Sequence, residues 1–212
     1  MQRKIFYSQN DEEHIINKYF LIDKKQYSGT FLDLGANDGT TLSNTHKLAE
    51  IRWRGHCVEP CPTPFEKLRQ LYYNRLDIQI SNIAIGVENG EAEILRSDSH
   101  LKIGDTDLLS TLKQGETIRW GQTQIFTPEI VNVLDFKTFM KTSNIKTFDF
   151  ISIDIEGLDY DVLIQMDLKE LGCKMLCIES NSIEDQKYID YCEKFGMKLY
   201  HKNYENLIFI TV

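Results

Sequence analysis

The sequence predicts an α/β fold in a single domain: a mostly parallel, twisted sheet with helices on both faces, closed by a C-terminal antiparallel hairpin. Three observations predict it. Apolar, β-branched runs alternate with segments of helical periodicity. The runs are apolar at nearly every position, as strands covered on both faces are. The last two runs, GMKLYHKN and NLIFITV, are joined only by the short turn NYEN.

In chain order, residues 1–28 read as an N-terminal helical cap. Strands are expected at 31–35 (FLDLG), 55–60 (GHCVEP), 77–86 (DIQISNIAIG), 148–157 (FDFISIDIEG) and 173–180 (CKMLCIES), followed by the hairpin. Helices are expected at 40–50, 63–73, 134–143, 159–170 and 183–195, with Pro62 and Pro64 suited to a first helical turn. Residues 87–131 break the rhythm and read as an inserted hairpin and a long loop, of the kind that serves a site.

Composition narrows the function. The chain has 212 residues, 42 % of them hydrophobic, which suits one domain with a full core. Its formal net charge of −8, with no Lys/Arg cluster longer than a pair such as Lys24-Lys25, opposes a nucleic-acid or anionic-membrane partner. No apolar run reaches the length of a membrane span. No apolar segment follows Met1-Gln2-Arg3-Lys4, so no secretory signal is expected. The five cysteines, spaced C-x3-C rather than C-x2-C, read as reduced, buried thiols of a cytoplasmic protein.

The turn after the first strand, Gly35-Ala36-Asn37-Asp38-Gly39, carries the first chemical signal. It is G-x-x-x-G, not the G-x-G-x-x-G that brings a backbone close to a pyrophosphate. A nicotinamide dehydrogenase is therefore not expected. The second strand ends in Glu59, 20 residues past Gly39, where a carboxylate can accept hydrogen bonds from both hydroxyls of a ribose. A ribose-binding acid beside a turn not built for pyrophosphate suggests a nucleoside without phosphates, such as S-adenosylmethionine.

Several blocks in order resemble the FkbM-type methyltransferases, S-adenosylmethionine-dependent O-methyltransferases that act on sugars and polyketide-like products. YSQNDEE (7–13) is similar to the family's S-Q-x-G-E-D opening, with Asp11 where glycine is usual. FLDLGANDGTTLSN, GHCVEPCPTPFEKL, NIAIG, VLDFKTF and FISIDIEGLDYDVL resemble its later blocks. The resemblance implies a Rossmann-like class I methyltransferase. It places the cofactor on Gln9, Asp33, Gly35, Ala36, Asn37, Asp38, Gly39, Ser43, Glu59, Pro60, Asn82, Ile83, Ala84 and Asp154. It also implies a small-molecule or glycan acceptor.

Asp154 and Glu156 end the fourth strand of the series and Glu179 ends the fifth. They are the candidate catalytic residues. Three carboxylates on adjacent strand ends repel one another unless one is protonated or a cation lies between them. Asp154, Glu156 and Glu179 are thus also candidate ligands for a hard divalent ion, Mg or Mn, or Ca. Of the histidines, His56 reads as buried in a strand, His46 as helical, and His100 as lying in the insertion. Two other readings fit the same fold. A nucleic-acid methyltransferase is opposed by the acidity and by D-I-E-G standing where nucleobase amine methylation uses [DN]-P-P-[YFW]. An inactive cofactor-binding partner subunit is opposed by the intact polar strand ends.

Overall fold

The computed structural model describes residues 6–22, 27–99, 106–120, 124–180 and 184–212. The first half of the chain runs α1 (Glu12–Tyr19), β1 (Thr30–Leu34), α2 (His46–Glu50), β2 (Arg54–Val58), α3 (Pro62–Leu71), β3 (Ile78–Ser81), β4 (Ala84–Gly86) and β5 (Gly90–Arg96). It continues with α4 (Glu116–Trp120), β6 (Thr127–Asp135), α5 (Phe136–Thr142), β7 (Phe150–Ile153), α6 (Asp159–Leu163), β8 (Met175–Glu179), α7 (Asp185–Glu193), β9 (Met197–Lys202) and β10 (Asn206–Thr211).

Seven strands form the main sheet in the order β3-β2-β1-β7-β8-β10-β9. The first five are parallel, and β10 runs antiparallel to β8 and β9, as the terminal hairpin predicts. The chain works outward from β1 through β2 to β3, then returns to the other side of β1 as β7. The strand order reverses there, which opens a crevice beyond the carboxyl ends of β1 and β7.

Strand alternation builds two cores, one on each face. Leu32, Leu34, Ile151, Ile153, Leu176 and Ile178 pack with Phe139 of α5, Val162 of α6 and Cys192 of α7. Their neighbours Phe31, Phe150, Met175 and Cys177 pack on the other face with Ile16 of α1, Leu48 of α2 and Leu68 of α3. All five cysteines are free and buried.

Some expected elements differ. The run 77–86 is two strands, not one: β3 belongs to the main sheet and β4 to a second sheet of order β4-β6-β5. The division falls at Asn82, whose Nδ2 donates to the carbonyls of Glu59 and Pro60, both at 2.9 Å. The helix expected at 40–50 begins only at His46. Asp38 holds the preceding residues in a loop, accepting from the amides of Thr40 and Thr41 at 2.8 and 2.7 Å. The helix expected at 159–170 stops at Leu163. In the insertion, β5 pairs antiparallel with β6, and Thr106 and Thr111 between them reach the turns after β1 and β7 through hydrogen bonds with Asn37 and Glu156.

Candidate active site

The crevice at the switch point is a pocket walled by the strand ends. Gly35 sets its floor. Its φ is +87°, and a Cβ there would lie 1.8 Å from the Asp154 carbonyl oxygen. Only glycine lets the turns after β1 and β7 approach so closely. Gly35 N and Ala36 N both donate to the Val58 carbonyl at 3.0 Å, locking the turn to β2.

Glu59 closes one end. It is buried, and its carboxylate receives Asn37 N at 2.9 Å and Cys61 N at 2.7 Å. Burial pushes its pKa up to about 7, against the lowering effect of those amides. Asp33, inside β1, accepts from Thr45 Oγ1 at 2.5 Å, and burial raises it to about 6. Asp38 is the opposite case. Burial pushes it up, but the amides and hydroxyls of Thr41 and Thr40 together hold it below the usual carboxylate range.

The other end is acidic. One carboxylate oxygen from each of Asp154, Glu156 and Glu179 lies within 4.8 Å of the other two, the convergence expected from adjacent strand ends. The turn that carries the first two takes the left-handed region at Glu156, with φ +52°, and a glycine-favoured conformation at Gly157, with φ +103°. Its organiser is Asp159, a residue the sequence reading missed. The buried Asp159 carboxylate accepts from Ile155 N at 3.0 Å and Gly157 N at 2.9 Å, and burial raises its pKa to about 6. The signal was an Asp two residues after a glycine at a helix start.

Eleven of the fourteen residues expected to hold the cofactor line this pocket: Gln9, Asp33, Gly35, Ala36, Asn37, Ser43, Glu59, Pro60, Ile83, Ala84 and Asp154. Asp38, Gly39 and Asn82 stand behind the walls. Asp38 folds the loop, the Gly39 carbonyl meets His46 Nδ1 at 2.8 Å, and Asn82 ties the ends of β2.

Further lining residues were not anticipated individually. Asp107, Leu109, Ser110 and Leu112 come from the insertion and form one wall. That wall is tied at several points. Arg96 holds Asp107 at 2.8 Å and Glu129 at 2.6 Å, Asn37 Nδ2 donates to the Thr106 carbonyl at 2.8 Å, and Thr111 Oγ1 donates to the Glu156 carbonyl at 2.6 Å. Glu205, from the hairpin turn, lines the acidic end.

Among the described residues no histidine lines the pocket. His56 is fully buried between Ser143 Oγ and Ser81 Oγ at 2.9 and 2.8 Å, and burial lowers its pKa to about 4. His201 faces Asp11 at 3.0 Å. His100 lies outside the described residues.

The Methyltransferase FkbM domain matches residues 33–204. The chain belongs to the FkbM methyltransferase family. No curated protein sequence matches it. Among solved structures it is similar to an FkbM methyltransferase from Methylobacillus flagellatus KT, with 13 % identity and a TM-score of 0.52 over 86 % of this chain and 43 % of that one. This chain therefore spans less than half of that relative. It is also similar to a putative caffeoyl-CoA O-methyltransferase from Staphylococcus aureus, with 11 % identity, a TM-score of 0.51 and coverage of 99 % and 87 %. A third is a putative RNA methyltransferase from Pyrococcus horikoshii, with 10 % identity, a TM-score of 0.50 and coverage of 96 % and 85 %. At these identities the likeness is one of fold, that of Rossmann-like class I methyltransferases. The expected fold class and family are thus both found. Among the described residues no helix is long and apolar enough to cross a membrane.

Proposed function

We propose that this FkbM-family chain transfers the methyl group of S-adenosylmethionine to a hydroxyl of a sugar, a glycan or a glycosylated small molecule. One observation carries the reading: a single pocket at the switch point has Glu59 at one end and the Asp154–Glu156–Glu179 cluster at the other. Glu59 would accept hydrogen bonds from the ribose hydroxyls, and the turn from Gly35 to Gly39 would follow the cofactor's backbone-facing side. Ile83 and Ala84, at the entrance to β4, offer an apolar edge for the base.

A cofactor held this way would have the strand ends of β7 and β8, with Asp154 and Glu179, beside its reactive end. The reaction is an in-line displacement, so the acceptor oxygen must lie behind the methyl group and lose its proton during or after transfer. Asp154 is the proposed acceptor-orienting carboxylate and proton acceptor, with Glu156 and Glu179 beside it. The sulfonium is already reactive, so positioning supplies much of the catalysis.

The cluster's geometry allows a second reading of the same residues, in which Asp154, Glu156 and Glu179 would hold Mg or Mn, which would supply Lewis-acid chemistry at the acceptor hydroxyl. A nucleic-acid acceptor is disfavoured by the acidic lining, since each phosphate would meet carboxylates. The five buried, free cysteines support a reducing compartment, the cytoplasm.

Incubation with methyl-radiolabelled S-adenosylmethionine and a panel of glycosides, glycans and RNA, with and without chelator, tests the proposal. Label in a carbohydrate is expected. Label in RNA alone would replace the reading with the nucleic-acid alternative. Cofactor binding without transfer to any acceptor would favour the inactive partner subunit.

A further inference from the structure

Residues 7–13 form a strap across the mouth of the pocket, between two elements far apart in sequence. On one side Ser8 makes a parallel bridge to Leu42, and the Tyr7 ring packs on His46 with centroids 4.2 Å apart. On the other side the anchor is Glu12, which is 0 % exposed. One of its oxygens receives Asn203 Nδ2 at 2.6 Å and Asn206 Nδ2 at 2.9 Å, and the other receives Asn10 N at 2.9 Å. Asn10 Nδ2 reaches on to Glu205 at 2.8 Å.

All these donors to Glu12 are neutral amides. A carboxylate accepts at both oxygens and donates at neither, so no neutral side chain of the same size could receive this set of donors. The burial of such a charge is costly unless hydrogen bonds satisfy it, which marks the position of the strap as closely specified. Gln9, an exposed residue between the two anchors, is among the residues that line the pocket.

Charge tells what Gln9 faces. Among the described residues lining the pocket there is no Lys, Arg or His, and the charged ones, such as Asp154, Glu179 and Glu205, are all carboxylates. An amino-acid carboxylate entering this pocket must be received by neutral donors. The sheet order gives the direction. Glu59 and Pro60 follow β2 at one end, whereas Gln9, Glu179 and Glu205 lie toward β8 and β10 at the other. A cofactor whose ribose is held on Glu59 would run its amino-acid end toward the strap.

We infer that Glu12 is a positioning residue for the cofactor: its clamp on Asn10, Asn203 and Asn206 seats the strap so that the Gln9 carboxamide receives the amino-acid end of S-adenosylmethionine. The inference rests on the cofactor reading proposed above. It assigns the S-Q-x-x-E-E opening a role that is distinct from the chemistry.

Calorimetric titration of the full chain with S-adenosylhomocysteine and with 5′-methylthioadenosine, which lacks the amino acid, tests it. The Glu12→Gln variant is expected to bind S-adenosylhomocysteine about tenfold more weakly and methylthioadenosine within about twofold of the unaltered chain. Gln9→Ala, at an exposed residue, is expected to give the same split and decides the matter if Glu12→Gln lacks a cooperative melt. Unchanged affinity for S-adenosylhomocysteine would overturn the inference. So would an equal loss for both ligands, which is what a merely structural strap would give. Failure of the unaltered chain to bind either ligand would instead remove the cofactor reading beneath it.

Discussion

The backbone amide of Asn37 donates to Glu59 Oε2 at 2.9 Å, joining the turn after β1 to the end of β2. One carboxylate therefore fixes the shape of the glycine turn and is also the proposed ribose acceptor. Replacing Glu59 with Gln keeps one acceptor oxygen but removes the charge. Hydrogen bonds to charged groups are worth roughly 1.5–3 kcal/mol, so affinity for S-adenosylhomocysteine should fall about ten- to a hundredfold. Unchanged affinity in a folded Glu59→Gln variant would withdraw the assignment.

The same residue predicts a pH dependence. Burial holds Glu59 up at about 7, and hydroxyl donors from a ribose favour its ionised form. Cofactor affinity should be constant above that pH and fall as pH drops below it, by up to about tenfold per unit. Stability runs the other way. The folded pKa lies above the ordinary value of 4.5, so this group's contribution is present below that value and is lost as pH rises through about 7. Glu59→Gln should therefore lose the pH slope in binding, and its melting temperature should gain on the unaltered chain as pH rises from 5.5 to 8. Parallel profiles for the two proteins would contradict this.

Asp154→Asn separates the two chemical readings. If the cluster works without a metal, chelator leaves turnover unchanged and Asp154→Asn lowers kcat with cofactor affinity intact. If it holds a metal, chelator abolishes turnover and Mg or Mn restores it. Full activity of Asp154→Asn in the presence of chelator would leave the D-I-E-G turn with an architectural role only.

At the opposite end of the strands, Asp149 accepts from Tyr27 Oη at 2.5 Å and Thr30 N at 2.8 Å and pairs with Lys174 at 2.9 Å. Despite burial, these donors hold its pKa below the usual carboxylate range. Asp149→Asn should cost about 1–3 kcal/mol of stability and leave cofactor affinity unchanged, because the network lies far from the pocket. Denaturant melts and calorimetry on the same preparation check both halves.

The elements most legible in sequence were those with one strong signal. Continuous apolar runs marked β1, β2, β7 and β8, and the short NYEN turn marked the β9–β10 hairpin. The G-x-x-x-G turn and Glu59 could be placed because a strand end and a 20-residue offset define them locally. What failed depended on side-chain hydrogen bonds to the backbone and on contacts between distant residues. Asn82 splits an apolar run by reaching the carbonyls of Glu59 and Pro60, and periodicity does not register such a contact. Asp38 delays α2 by folding the loop before it. Asp107 and Glu205 enter the pocket from the insertion and the hairpin turn, brought there by Arg96 and by the strap. No local pattern marks a residue that becomes part of a site only through the tertiary fold.

The most direct test of the account is a crystal structure of the chain with S-adenosylmethionine bound. The account predicts ribose hydroxyls on the Glu59 carboxylate and the sulfonium methyl facing the Asp154–Glu156–Glu179 cluster, with open space behind the methyl for a hydroxyl acceptor. A cofactor bound with its ribose away from Glu59, or with its methyl turned from Asp154, would contradict it.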